Sequence, residues 1–169
     1  MKVRIALPLL LLAGLAGCVT GRSYIPVQGP GSATVRLINE SEGVVMASES
    51  QRGDCSDLEW FGGYWARDRQ HVQPGKAVAT KTRPDKLFVL TAERTISSLP
   101  LRSCDAAAGL IPERDAIYEV SYQTVEGERC RLSAQRLTPE GTVPVSLIPV
   151  YFWKSSRPWV RPTTCELRK

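Results

Sequence analysis

Tyr118-Glu119-Val120-Ser121-Tyr122, then Glu126-Gly127-Glu128, then Cys130-Arg131-Leu132-Ser133-Ala134, is the stretch whose reading decides the fold. Each five-residue run alternates apolar and polar side chains with a period of two, the pattern of a strand with one buried face. The turn between them sets the register. A two-residue turn at Glu126-Gly127 would place Tyr122 opposite Arg131 and set apolar against polar side chains along the whole pair. A three-residue loop, Glu126-Gly127-Glu128, pairs Tyr122 with Leu132, Val120 with Ala134 and Thr124 with Cys130, and keeps one face apolar throughout. The second register is therefore expected, with Cys130 pointing inward.

Outward from this hairpin the same texture continues in both directions. Strands are expected at Ala33 to Asn39, Val44 to Glu49, Lys76 to Thr82, Lys86 to Thr91, Ala116 to Val125, Arg129 to Leu137 and Val143 to Phe152. Turn signals such as Gly62-Gly63, Pro74-Gly75, Pro84-Asp85 and Pro139-Glu140-Gly141 separate them at roughly ten-residue intervals, the punctuation of an antiparallel sandwich. The expected fold is mainly β: a single antiparallel β-sandwich, immunoglobulin-like or similar, of about seven strands. Pro144 and Pro149 lie within the last run and cannot donate to a ladder, so that run belongs at an edge or is broken by a bulge. Asp105 to Leu110 reads as one helical turn in a loop. Asn39-Glu40-Ser41 matches a glycosylation sequon but is read as a turn.

At the other extreme of the chain, Lys2 and Arg4 precede an apolar run from Ile5 to Ala16, followed by small residues, the layout of a secretory leader. At about a dozen residues, the run is too short for the roughly 20 that a membrane-spanning helix needs. Leu15-Ala16-Gly17-Cys18 resembles the lipobox of bacterial lipoproteins. The resemblance implies cleavage before Cys18, acylation of its sulfur and of the new amino group, and a chain held to a membrane by two or three acyl chains. A single chain binds only marginally, so several are what a stable anchor requires. Val19 stands where an Asp would signal inner-membrane retention, so the resemblance implies the outer membrane, facing the periplasm.

The expected organisation is thus a signal peptide at 1–17, a lipidated N-terminus and flexible tether at 18–32, and a sandwich domain at 33–169. The mature 152 residues suit one domain. Val19 to Ser32 is rich in Gly, Pro and small polar residues and reaches about 20 Å as a coil, or about 45 Å extended. Loss of Lys2 and Arg4 leaves 20 basic residues against 17 acids. No basic block with interleaved aromatics is present, so a nucleic-acid partner is not supported.

Cys55, Cys104, Cys130 and Cys165 remain beyond the anchor. An even count in an exported chain reads as two disulfides, with three connectivities open. The inward Cys130 is well placed to reach Cys104 in the preceding loop, which favours Cys104–Cys130 with Cys55–Cys165. The closest two are 26 residues apart, without the short paired spacing of zinc sites. Residues 72 to 137 also resemble, through Pro74-Gly75, Cys104, Tyr118 to Tyr122 and Cys130, the small envelope lipoproteins of unassigned function. That resemblance implies no activity.

Catalytic chemistry is scarce. His71, the single histidine, would have to be the base of any triad, yet no Gly-x-Ser-x-Gly elbow accompanies it. Asp54, Asp57 and Glu59, and also Glu113 and Asp115, form local acidic clusters that usually prove to be solvated loop charges, though a glycosidase would need such a pair. No metal or cofactor is expected. The binding candidates are aromatic: Trp60 and Trp65 beside Gly62-Gly63, and Trp153 and Trp159 interleaved with Arg157 and Arg161. Such groups anchor protein partners or stack on sugars, or simply close the sandwich. The leading expectation is a non-catalytic binding or structural module of the envelope, with an unknown envelope protein or polysaccharide as partner. The alternatives are an inhibitor of a cell-wall lytic enzyme and a peptidoglycan or polysaccharide hydrolase using paired carboxylates.

Overall fold

The computed structural model describes residues 27–53, 55, 59–60, 71–98, 101–125, 129–153 and 164–167, with the backbone alone at 59–60, 97–98, 101, 152–153 and 164–165. These residues form strands β1 (Ala33–Asn39), β2 (Val45–Ser50), β3 (Glu59–Trp60), β4 (His71–Val72), β5 (Ala77–Thr82), β6 (Phe88–Ser98), β7 (Leu101–Leu110), β8 (Ile117–Val125), β9 (Arg129–Thr138), β10 (Gly141–Val145), β11 (Ile148–Trp153) and β12 (Thr164–Leu167), and no helix. One sheet has the order β10-β9-β8-β1-β5; the other has the order β12-β11-β7-β6-β2-β3, with β4 pairing β2 beside β3. The architecture is the expected mainly-β, sandwich-like one.

The β8–β9 hairpin adopts the register derived from alternation, with Tyr122 opposite Leu132, Val120 opposite Ala134 and Thr124 opposite Cys130. Its inward row, Tyr118, Val120 and Tyr122, meets Ala33, Val35 and Leu37 of β1 and, from the facing sheet, Val45, Ala47, Phe88, Leu90, Ala92 and Leu110 in one buried cluster. Burying a Val, Leu or Phe side chain contributes about 1.5–3 kcal/mol, so this two-sided row is the main source of stability. Cys104 on β7 is bonded to Cys130 on β9, so the favoured disulfide is present and joins the two sheets.

Three expectations change and a fourth holds. Asp105 to Leu110 is the end of strand β7, paired along its length with β6, and so neither a helical turn nor a loop. The pairing is not wholly antiparallel, because β1 runs parallel to β8 from Thr34–Ile117 to Asn39–Tyr122. Twelve strands replace about seven, partly because β3, β4 and β12 are only two to four residues long. The run Val143 to Phe152 is indeed broken: β10 ends one sheet at its edge, and after Ser146-Leu147 the chain crosses to pair β11 with β7 in the other. Pro144 sits on that edge strand, where a missing N–H costs least.

The strand directions define two ends of the sandwich. Ala33, Thr82, Ile117, Leu137 and the Pro139-Glu140 turn lie at one end, where the chain enters. Asn39, Ala77 and Tyr122 lie toward the other. The entering segment is itself folded. Ser32 donates its N–H (3.4 Å) and its hydroxyl (3.0 Å) to the Gly29 carbonyl. Gly31, at φ 82°, packs so closely on Arg114 that a Cβ would lie 2.8 Å from the guanidinium. The flexible tether expected over 18–32 therefore does not include its last four residues.

The sequon Asn39 is fully buried, and its side chain is saturated. Its amide donates to the carbonyls of Gly43 and Val72, both at 2.7 Å, and its Oδ1 accepts from the Ser41 N–H (2.9 Å) and hydroxyl (2.7 Å). These four bonds tie the β1–β2 turn to β4, as the turn reading anticipated.

Candidate functional site

Among the aromatic and cationic candidates, Trp60 lies on β3 opposite Ser48, and Trp153 lies at the end of β11 opposite Thr164, both described by backbone. Trp65, Arg157, Trp159 and Arg161 lie outside the described residues, as does Cys18. The strand order separates Trp60 from Trp153. Trp60 and Trp153 stand toward opposite edges of one sheet with β2, β6 and β7 between them. Four strand spacings amount to about 19 Å, so the two do not form a single ring-sized platform. Of the second cluster, Tyr151 is 47% exposed, opposite Glu166.

His71 is exposed at the start of β4, opposite Met46, which in turn lies opposite Glu93, so the nearest acid in its row is two strands away. Glu113 is exposed and forms an ion pair with Arg136, while Asp115 occupies a left-handed turn position at φ 58°. Both fit solvated loop charges. Glu59 pairs by backbone with Glu49, whereas Asp54 and Asp57 lie outside the described residues. Among the described residues, no three of His, Cys, Asp and Glu come together as a metal cage. Cys55 is disulfide-bonded, and because Cys104 and Cys130 hold one another, its own bond is a separate one. The Cys165 half of the expected Cys55–Cys165 bridge falls outside the described side chains.

The most organised polar feature is the outer face of the β9-β8-β1-β5 sheet, built by the polar half of the same alternation that builds the core. Arg36 donates to Glu119 at 2.7 Å, and Gln135 donates to the other oxygen of Glu119 at 3.1 Å. Lys81 donates to Thr34 at 2.7 Å. Glu40 accepts from the Gln123 amide (2.5 Å) and the Ser121 hydroxyl (2.6 Å), and Arg131 donates to Gln123 at 3.0 Å. The Gln123 and Ser121 bonds hold the Glu40 carboxyl below its ordinary pKa of 4.5, against a weaker opposing effect of burial. These are three cross-strand rows of hydrogen bonds on one face of the sheet. Ordered donors and acceptors of this kind suit polar, water-mediated recognition.

Buried polar groups gather at both ends of the core. Glu49 is fully buried and accepts from the Thr80 hydroxyl (3.1 Å) and the Gln51 amide (3.5 Å), while Thr82 donates to Gln51 at 2.9 Å. Its place was readable, since Val45, Ala47 and Glu49 are successive members of one period-two row. At the opposite end of the core, the Tyr122 hydroxyl donates to the Cys104 carbonyl (2.8 Å) and lies 2.6 Å from the Cys130 Sγ. Burial pushes the Tyr122 phenol up to about 12, with the Arg94 cation acting in the opposite sense. Arg94 Nε and Thr124 Oγ1 are buried without a hydrogen-bond partner among the described residues. Gly43 provides the room for Arg94, since a Cβ there would lie 2.8 Å from the Arg94 Cδ. Internal water is the ordinary partner of such atoms. Both sulfurs are oxidised, so neither is a free thiol.

No protein-family model and no curated protein matches this chain. Membership of a family is therefore not established by comparison, and what stands is a two-sheet β fold with one disulfide joining the sheets.

Proposed function

We propose that this chain is a lipid-anchored lipoprotein of a bacterial outer membrane, facing the periplasm, that acts as a non-catalytic binding or structural module of the envelope. The observation that carries the reading is Cys18 at the end of a short apolar leader. The Cys104–Cys130 disulfide is consistent with it, since such bonds persist in oxidising compartments. The hydrogen-bonded outer face supports a binding role, because it offers ordered donors and acceptors in cross-strand rows. We assign Cys55–Cys165 as the second disulfide.

The test is metabolic labelling with radioactive palmitate in cells producing the full chain, followed by density-gradient separation of the two membranes. Label should travel with the protein in the outer-membrane fraction, and Cys18→Ser should abolish both label and membrane association. A wild-type protein recovered unlabelled and freely soluble would refute the anchor. Turnover of purified murein by the leaderless protein, lost on substitution of one carboxylate, would replace the module with a hydrolase.

A further inference from the structure

We propose that the end of the sandwich where the chain enters β1 is a lipid-facing surface, seated on the phosphate headgroups of an anionic bilayer. This rests on the reading of Cys18 as the anchor and adds which face of the domain meets the membrane.

Three observations converge on that end. First, a turn is formed at Gly29 to Ser32, and only ten residues, Val19 to Gln28, separate Cys18 from it. Ten residues span about 17 Å as a coil and at most about 35 Å, so the rim beside Gly29 is held close to the headgroups. Second, the rim is stiff. Asp85 donates its N–H to the Pro112 carbonyl at 2.9 Å, tying the β5–β6 and β7–β8 connections together, and Asp115 donates its N–H to the Gly31 carbonyl at 3.4 Å. Pro112 is fully buried beneath them. A rim already ordered loses little entropy on contact.

Third, its surface has the chemistry of an interfacial contact. Ile111 is 55% exposed, more than any other large apolar side chain among the described residues, and Ile117 at the same end is 41% exposed. Arg83, Lys86 and Arg114 are exposed around it, and none forms an ion pair with another described residue. Long basic side chains can lie along apolar surface while their charged heads reach phosphates. Asp85, Asp115 and Glu140 are exposed at the same end, and Glu113 there is paired with Arg136, so the formal charges of the rim balance and the contact rests on Ile111 and Ile117 with the basic heads reaching phosphates beside them. A contact without net charge attraction suffices here, because the anchor makes it intramolecular and raises its effective concentration to the millimolar range.

The test uses the lipidated full chain in vesicles of phosphatidylglycerol and phosphatidylethanolamine. An environment-sensitive fluorophore is attached through Ile111→Cys, or through Val44→Cys at the far end, where the native side chain is 39% exposed. Nitroxide-labelled headgroups should quench the probe at position 111 at least twofold more than the probe at position 44. Arg83→Glu/Lys86→Glu/Arg114→Glu should remove more than half of that difference. Flotation of the same samples reports the anchor separately. A chain that floats but shows equal quenching at both positions overturns the lipid-facing end alone, and a chain that does not float overturns the anchor as well.

Discussion

Replacing both halves of the inter-sheet bond, Cys104→Ala/Cys130→Ala, should destabilise the leaderless protein by several kcal/mol. The two cysteines are 26 residues apart, and cross-linking a loop of that length removes unfolded-chain entropy equivalent to about 3.5 kcal/mol at 25 °C. Both sulfurs also pack against the core, Cys104 being 5% exposed, so their loss adds about 1 kcal/mol of missing contacts. The sum corresponds to a fall in Tm of roughly 9–18 °C for a domain of this size. Urea unfolding without reductant measures it, with the second disulfide left intact in both proteins. Because the bond acts mainly on the unfolded chain, the m-value should rise in the variant as that chain expands. A stability loss below about 1 kcal/mol, with m unchanged, would refute the reasoning, since neither the entropy of the unfolded chain nor the packing of the sulfurs would then matter.

Alkaline pH should reveal Tyr122. Its pKa of about 12 in the fold lies above the ordinary value of 10.0, so the unfolded chain gives up this proton first and stability falls as pH rises from 10 to 12, by about 2 kcal/mol. Denaturant midpoints across that range should lose this slope in Tyr122→Phe, and an unchanged slope would assign it to other groups. Asn39→Ala strands the Gly43 and Val72 carbonyls and the Ser41 N–H and hydroxyl, and should cost at least about 3 kcal/mol in chemical denaturation. A loss under 1 kcal/mol would mean that water replaces the amide freely. Gly53→Ala places a Cβ 2.9 Å from the Leu87 side chain at φ 78°, which should lower stability by about 2 kcal/mol, whereas Gly141→Ala, with an open surround at φ 134°, meets only the backbone penalty. Equal losses in calorimetry would show that the Leu87 contact yields without cost.

Alternation made the hairpin legible to the residue. In an antiparallel pair with one buried face, a slip by one position would bury Arg131 and expose Leu132, so a single register survives. β1 was legible for the same reason, and its bounds coincide with the expected ones. β7 was not. Asp105-Ala106-Ala107-Ala108-Gly109 has no alternation and high helix preference, but the segment is flanked by β6 and β11, and Leu87, Ile148 and Val150 cover Gly109 so closely that a Cβ would clash. Packing on both faces, rather than local preference, dictates small residues there. The parallel β1–β8 pairing leaves no local trace, because its partners are remote in sequence. As for the sites, a period-two count would have found Glu49, whereas the polar outer face becomes visible only once strand neighbours are known. The tryptophan clusters were noticed for composition, and the strand order is what sets Trp60 apart from Trp153.

The parallel pairing of β1 with β8 has a consequence for biogenesis. Arg36 meets Glu119, 83 residues later, so the first strand to emerge must wait for one of its two lateral neighbours. At synthesis rates of 5–20 residues per second, that wait is at least about 4–17 s, and longer for a chain that folds only after crossing the inner membrane. Throughout it the nascent polypeptide presents an apolar ribbon with an open flank, a natural client for holdase chaperones. Its yield in cells should therefore depend on them far more than its equilibrium stability would suggest.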